Sequence, residues 1–137
     1  MYKRQIYTWR CLYASLTQHY RVIAVDMPGF GYSSRPDVYS YTIEEQSKAL
    51  ELFLDAIGIE SAHFMGFSMG CAYVMDLCLR QPERAGRVIL LMDRSKLGRT
   101  LPFTFAELED IDVFICDGPL PQLRAAAQAA HVELVEA

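Results

Sequence analysis

Ser68 stands midway between two glycines in the run Gly66-Phe67-Ser68-Met69-Gly70. A G-x-S-x-G suits a sharp turn that lifts a serine hydroxyl clear of the backbone, with small residues two before and two after it. On such a turn Ser68 is a candidate nucleophile, and the Met69 N–H faces the oxyanion that forms on an attacked carbonyl. A serine used this way needs a histidine base and an acid that orients it. The chain holds three scattered histidines, His19, His63 and His131, and two acids that each close an apolar run, Asp93 and Asp117. Ser95 and Lys96 add a hydroxyl and a point charge suited to a phosphate. The cysteines, Cys11, Cys71, Cys78 and Cys116, form no C-x-x-C and are too irregularly spaced for a zinc motif, so buried free thiols are expected. The sequence therefore predicts no metal site and no cofactor.

Two periodicities alternate along the chain and would position these groups. Continuous β-branched runs occupy residues 21–26 (RVIAVD), 62–65, 87–92 (RVILLM), 112–116 (DVFIC) and 132–135. Helical spacing fills 9–19, 42–57, 69–80 and 120–130, with a shorter turn near 105–109. Strands apolar throughout are buried on both faces, which predicts an α/β fold: a mostly parallel sheet of about five strands with helices on both sides. Thr42 and Glu45 read as a T-x-x-E capping box. Ile43, Leu50, Phe53, Leu54 and Ile57 would line the apolar face of the helix it opens, and Gly58 its left-handed exit. The helix after Ser68 is apolar nearly all round and is expected to be central. Ser68 then falls on a strand-to-helix turn, the context the motif requires.

Composition narrows the class of protein. The chain has 137 residues, 52% hydrophobic and 22% charged, with a net charge of -4. That length suits a single α/β domain, 1–137, and the composition excludes a disordered chain. The acidic balance gives no surface for nucleic acid or an anionic membrane. No apolar run approaches the roughly 18 residues of a membrane span, and no charged-then-apolar leader opens the chain. A cytoplasmic protein with a small-molecule substrate or ligand is expected.

At these residues the chain resembles the α/β-hydrolase fold family. The stretches YTWRCLYASLTQHYRVIAVDMPGFGYSSRP and YSYTIEEQSKALELFLDAIGIESAHFMGFSMG, then QPERAGRVILL, carry the likeness over residues 6–91. The resemblance implies Ser68 as nucleophile, Met69 as oxyanion donor, and Asp26-Met27-Pro28-Gly29-Phe30-Gly31 as a structural loop beside the site. It implies the acid at Asp93 or, more commonly, at Asp117. It also implies a histidine after a last strand, whereas the chain stops at VELVEA. His131 precedes that strand and reads as a helix C-cap; His63 lies inside the strand leading to Ser68 and points to core or sheet face. The loop that gives a second oxyanion N–H would lie before Tyr7, as would the strand separating RVIAVD from AHFMG. The gap so left, about 9.6 Å or two strand spacings, would close by direct pairing, be filled by residues 1–7, or leave 21–26 poorly docked.

Residues 92–137 resemble instead the C-terminal end of DeoR-type sugar-responsive regulators, through Asp93-x-Ser95-Lys96-x-Gly98, Leu108 to Asp112, and Asp117. That likeness implies a phosphosugar ligand near Ser95 and Lys96; the family's DNA-reading domain has no counterpart here. The whole reads as a chimera whose changeover near residues 90–93 preserves strand phase, and residues 1–5 (MYKRQ) match neither parent. The expectation is a hydrolase-like protein with an elbow serine, impaired for want of a base. The alternatives are a base supplied by a partner chain, a non-catalytic phosphosugar-binding module, or a chimera without selected function.

Overall fold

A computed structural model describes residues 5–96 and 106–137. Its elements run α1 (Gln5–Thr8), α2 (Arg10–Leu16), α3 (Ile43–Ala56), β1 (Ala62–Phe67), α4 (Met69–Arg80), β2 (Ala85–Met92), β3 (Val113–Cys116), α5 (Pro121–Ala129) and β4 (Glu133–Glu136). Short 3-10 turns cover Pro82–Arg84, Arg94–Lys96 and Leu108–Asp110. The four strands are all parallel and follow one another in the order β1-β2-β3-β4. The expected α/β architecture with a parallel sheet and helices holds. Gly98 and Phe105, part of the expected tail motif and turn, lie outside the described residues, as do residues 1–4.

Register decides which side chains share a face. Phe64 lies opposite Val88, Gly66 opposite Leu90, and Leu90 opposite Phe114. Phe64, Val88, Leu90 and Phe114 meet Leu50 and Leu54 of α3, Cys71, Val74, Met75 and Cys78 of α4, and Leu120 and Ala127 at α5 in one continuous core. The opposite face of β1 is thinly covered: His63 and Phe67 are exposed and Met65 is half-buried. The Trp9 ring, between α1 and α2, stands edge-on to Phe67 there at 6.5 Å. Burial of every strand on both faces, expected from the apolar runs, is thus not met at β1, because α2 buries none of its own residues.

Residues 21–26 depart most from expectation. They form no strand, and the sheet has four strands rather than about five. The run pairs neither with β1, whose outer edge has no partner among the described strands, nor with any other described strand. It is tied instead by local contacts. The Tyr13 hydroxyl donates to Val22 O at 3.0 Å, and the buried Asp26 carboxylate accepts the Ile6 and Tyr32 N–H groups at 2.9 and 3.0 Å. Of the three outcomes for the gap, the run is the poorly docked one: it stays outside the sheet, with Val25 packed against the core.

The α3 helix opens on Thr42, whose side chain accepts the Glu45 N–H at 3.2 Å; the reciprocal bond of the expected box is not formed. A full capping box closes instead at Glu107 and Asp110. On α3 the buried face is Gln46, Ser47, Leu50 and Leu54, while Ile43 and Ile57 are exposed. Two polar residues are buried because they are bonded across packed elements. Gln46 Nε2 donates to Pro28 O at 2.9 Å, and Arg80 Nη2 of α4 donates to Ser47 Oγ at 2.8 Å.

Candidate active site

The Ser68 turn forms as its sequence predicts. β1 ends at Phe67, α4 begins at Met69, and Ser68 between them has φ 54° and ψ -122°. A side chain rarely adopts that backbone conformation, and holding it costs on the order of 1–3 kcal/mol. Gly66 is required sterically: a Cβ there would lie 2.7 Å from Cys71 Cα and 2.9 Å from its N. Gly70 is not, since a Cβ there meets nothing within 4 Å. The expectation of crowding on both sides of the serine therefore holds on one side only, because the chain has already entered the helix at Gly70 and its Cβ would point away from the turn.

Backbone bonds then hold the turn. Ser68 N–H extends the parallel ladder by donating to Leu91 O of β2 at 3.1 Å, and Ser68 O accepts the Cys71 N–H at 3.0 Å. The Ser68 side chain is exposed and makes no capping bond to the helix it precedes. The Met69 N–H is a first-turn donor of α4, without an intrahelical acceptor and at the positive end of the helix dipole.

Parallel pairing brings the acids to the same sheet edge. Phe67 pairs with Leu91, and Met92 with Cys116, so Ser68, Asp93 and Asp117 leave the C-terminal ends of neighbouring strands. One strand spacing of about 4.8 Å separates the first two lines of chain, and two spacings, about 9.6 Å, separate Ser68 from Asp117. Each acid is occupied locally. Asp93 Oδ1 accepts the Ser95 N–H at 2.7 Å; bonds from the Ser95 hydroxyl and then its N–H hold this exposed carboxyl below its usual range. Asp117 Oδ1 accepts the Arg94 N–H at 2.5 Å. Ser95 and Lys96 are exposed on the 3-10 turn after β2, and the Lys96 N–H bonds Asp93 O at 3.0 Å.

The histidines gather at the other end of the sheet. His63 is near the start of β1, beside Gly86 near the start of β2, where a Cβ would come within 2.8 Å of its Nδ1. The Tyr20 ring stands edge-on to it at 6.2 Å, which brings the adjoining His19 to the same end. His131 precedes β4 and lies one residue past the C-cap of α5, which is Ala130 and not His131 as expected; its φ of 58° makes it the left-handed exit. Five residues of strand, about 16 Å, separate His63 from Ser68 along β1.

The D-x-P-G-x-G loop is held by its own aspartate. A Cβ on Gly31, at φ 52°, would fall 1.9 Å from Asp26 Oδ2, so the glycine admits the carboxylate that bonds the Tyr32 N–H. Cys71, Cys78 and Cys116 are buried free thiols and Cys11 is exposed. Sequence reasoning passed over Cys71, whose thiol reaches Leu91 O at 3.5 Å. Its position three residues after Ser68, on the turn's inner side, was the available signal. Among the described residues no group of three His, Cys, Asp or Glu is placed to hold a metal, and no helix is long and apolar enough to cross a membrane.

With this geometry in hand, the comparisons with known proteins agree on one family. The family model described as the alpha/beta hydrolase fold matches residues 5–128, and the chain belongs to that family. The match continues through most of the segment expected to be regulator-like. The chain is similar to 2-hydroxymuconate semialdehyde hydrolase of Pseudomonas sp. (strain CF600), with 38% identity over 96 residues, 70% of this chain and 33% of the relative. Among solved structures it is similar to a meta-cleavage product hydrolase from Pseudomonas fluorescens IP01. There the TM-score is 0.62 at 36% identity, over 64% of this chain and 32% of the other. A hydrolase from Pseudomonas aeruginosa PA01 shares the fold over 98% of this chain and 77% of its own, with TM-score 0.71 at 19% identity. The chain spans about a third of the length of the curated relatives it matches, from 27% to 33% for the first three.

Proposed function

We propose that this chain carries the nucleophile end of a serine hydrolase site, with Ser68 as nucleophile, the Met69 N–H as one oxyanion donor, and little turnover of its own. The observation that carries the reading is the strained Ser68 backbone at the C-terminal sheet edge, beside a helix N-terminus. An exposed hydroxyl there can attack a small-molecule ester or related carbonyl compound. Asp93 and Asp117 supply the acid position. The base is the weak member, because all three histidines lie toward the opposite edge. The setting proposed is the cytoplasm.

Without a base in reach, the serine keeps near its free basicity, and loss of the base alone removes on the order of 10⁴–10⁶ in rate from such a triad. A fluorophosphonate probe is expected to label this chain slowly at Ser68 and not to label Ser68→Ala. Hydrolysis of p-nitrophenyl acetate is expected near background and unchanged by His63→Ala or His131→Ala. Robust turnover abolished by Ser68→Ala and by either histidine change would overturn the impaired reading.

The second reading, a phosphosugar-binding module descended from DeoR-type regulators, draws on the exposure of Ser95 and Lys96 at the same edge. The Asp93 carboxylate already takes the Ser95 hydroxyl and N–H, which disfavours an anion there. A thermal shift with glucose 6-phosphate that Lys96→Ala abolishes would favour this reading over the first.

A further inference from the structure

We propose that Cys71 is the positioning residue of the Ser68 turn, its thiol fastening the turn to the end of β2; this rests on reading Ser68 as the nucleophile. Three bonds close a ring through Ser68, Cys71 and Leu91. Leu91 O accepts both the Ser68 N–H at 3.1 Å and the Cys71 thiol at 3.5 Å, and Ser68 O accepts the Cys71 N–H at 3.0 Å. Two of the bonds are backbone and open to any residue at position 71. Only the thiol bond depends on a side chain, and it occupies the second lone pair of a carbonyl that the ladder uses once.

Burial makes this weak donor count. Cys71 is 0% exposed, so no water competes for Leu91 O from its side. Burial pushes the thiol up to about 11, which keeps its proton in place at neutral pH. The strained Ser68 backbone persists only while its surroundings over-determine it, and the ring ties both its N–H and its C=O. Cys78 provides the comparison: it is a buried free thiol of the same helix and the same core, seven residues on, away from the turn.

The test compares wild type, Cys71→Ala, Cys71→Ser and Cys78→Ala, with Ser68→Ala as blank, by two readouts. One is the second-order rate of fluorophosphonate labelling; the other is amide hydrogen exchange of Ser68 and Cys71 by NMR. Cys71→Ala is expected to slow labelling roughly three- to tenfold and to speed both exchanges by a similar factor. Cys71→Ser is expected to restore both within about twofold, since a hydroxyl also donates. Cys78→Ala is expected to lower the melting temperature and leave both readouts unchanged. Should Cys71→Ala not fold, Cys71→Val, which fills the site without a donor, takes its place. Equal effects of Cys71→Ala and Cys78→Ala, or no rescue by serine, would overturn the proposal. If wild type does not label at all, the nucleophile reading fails, and exchange still decides the clamp: rates unmoved by Cys71→Ala would sink it.

Discussion

Gly66 and Cys71 meet at the inside of the Ser68 turn, where a Cβ on the glycine would lie 2.7 Å from the cysteine Cα. The obstacle is backbone at the start of α4, so it cannot swing aside as a flexible side chain would. Gly66→Ala is expected to cost about 1–3 kcal/mol, the range of overpacking in a well-packed site. Gly70 has open space and sits inside α4, where alanine is favoured over glycine by about 0.5–1 kcal/mol. Gly70→Ala is therefore expected to stabilise the chain. Urea midpoints of the two variants should move in opposite directions.

Ser68 pays for its position in backbone strain, and glycine relieves that strain while alanine does not. Ser68→Gly is expected to be more stable than Ser68→Ala by about 1 kcal/mol, the lower end of the cost of such a conformation. Chemical denaturation of the two variants measures the difference. A Ser68→Gly variant no more stable than Ser68→Ala would mean that the turn is relaxed.

The Asp26 carboxylate joins α1 to the loop that follows residues 21–26, through the Ile6 and Tyr32 N–H groups. Bonds to a charged group contribute about 1.5–3 kcal/mol each. Asp26→Ala is expected to destabilise by at least one such bond and to expose residues 27–34 to limited proteolysis. Asp26→Asn, which keeps one acceptor oxygen, is expected to fall between wild type and alanine in cleavage rate.

Arg80 of α4 reaches α3 through Glu51 at 2.8 Å and pairs within its own helix with Asp76 at 2.9 Å. Bonds from Arg80 and then Gln81 hold the Glu51 carboxyl below its usual range. Partial burial raises Asp76, but the Ser47 hydroxyl and the Arg80 guanidinium together outweigh it and leave it lowered. A carboxyl lowered by folding contributes stability above its unfolded pKa, and loses it as pH falls through the folded value. The melting temperature is thus expected to be level above about pH 5 and to fall below it. In Arg80→Gln the acid decline should be shallower. A slope identical to that of wild type would show that these carboxyls owe nothing to Arg80.

Much of this was legible in the residues themselves. The apolar runs at β1 to β4 and the helical spacing between them are local properties, so the α/β alternation and the strand-to-helix turn at Ser68 follow from the order of side chains. Parallel pairing of successive strands then carries Asp93 and Asp117 to the serine's edge, since each closes its own run. Tertiary structure decided the rest. RVIAVD has the composition of a strand, yet a strand exists only beside another, and no described strand pairs with it. Ile43 has the right period for the core and stays exposed, whereas Gln46 and Ser47 are buried because Pro28 and Arg80, distant in sequence, bond them. Gly66 and Gly70 look alike in the motif, but only one faces the Cys71 backbone. The three histidines show the division most plainly: their presence is a fact of composition, while their gathering at the edge opposite Ser68 is a fact of strand direction.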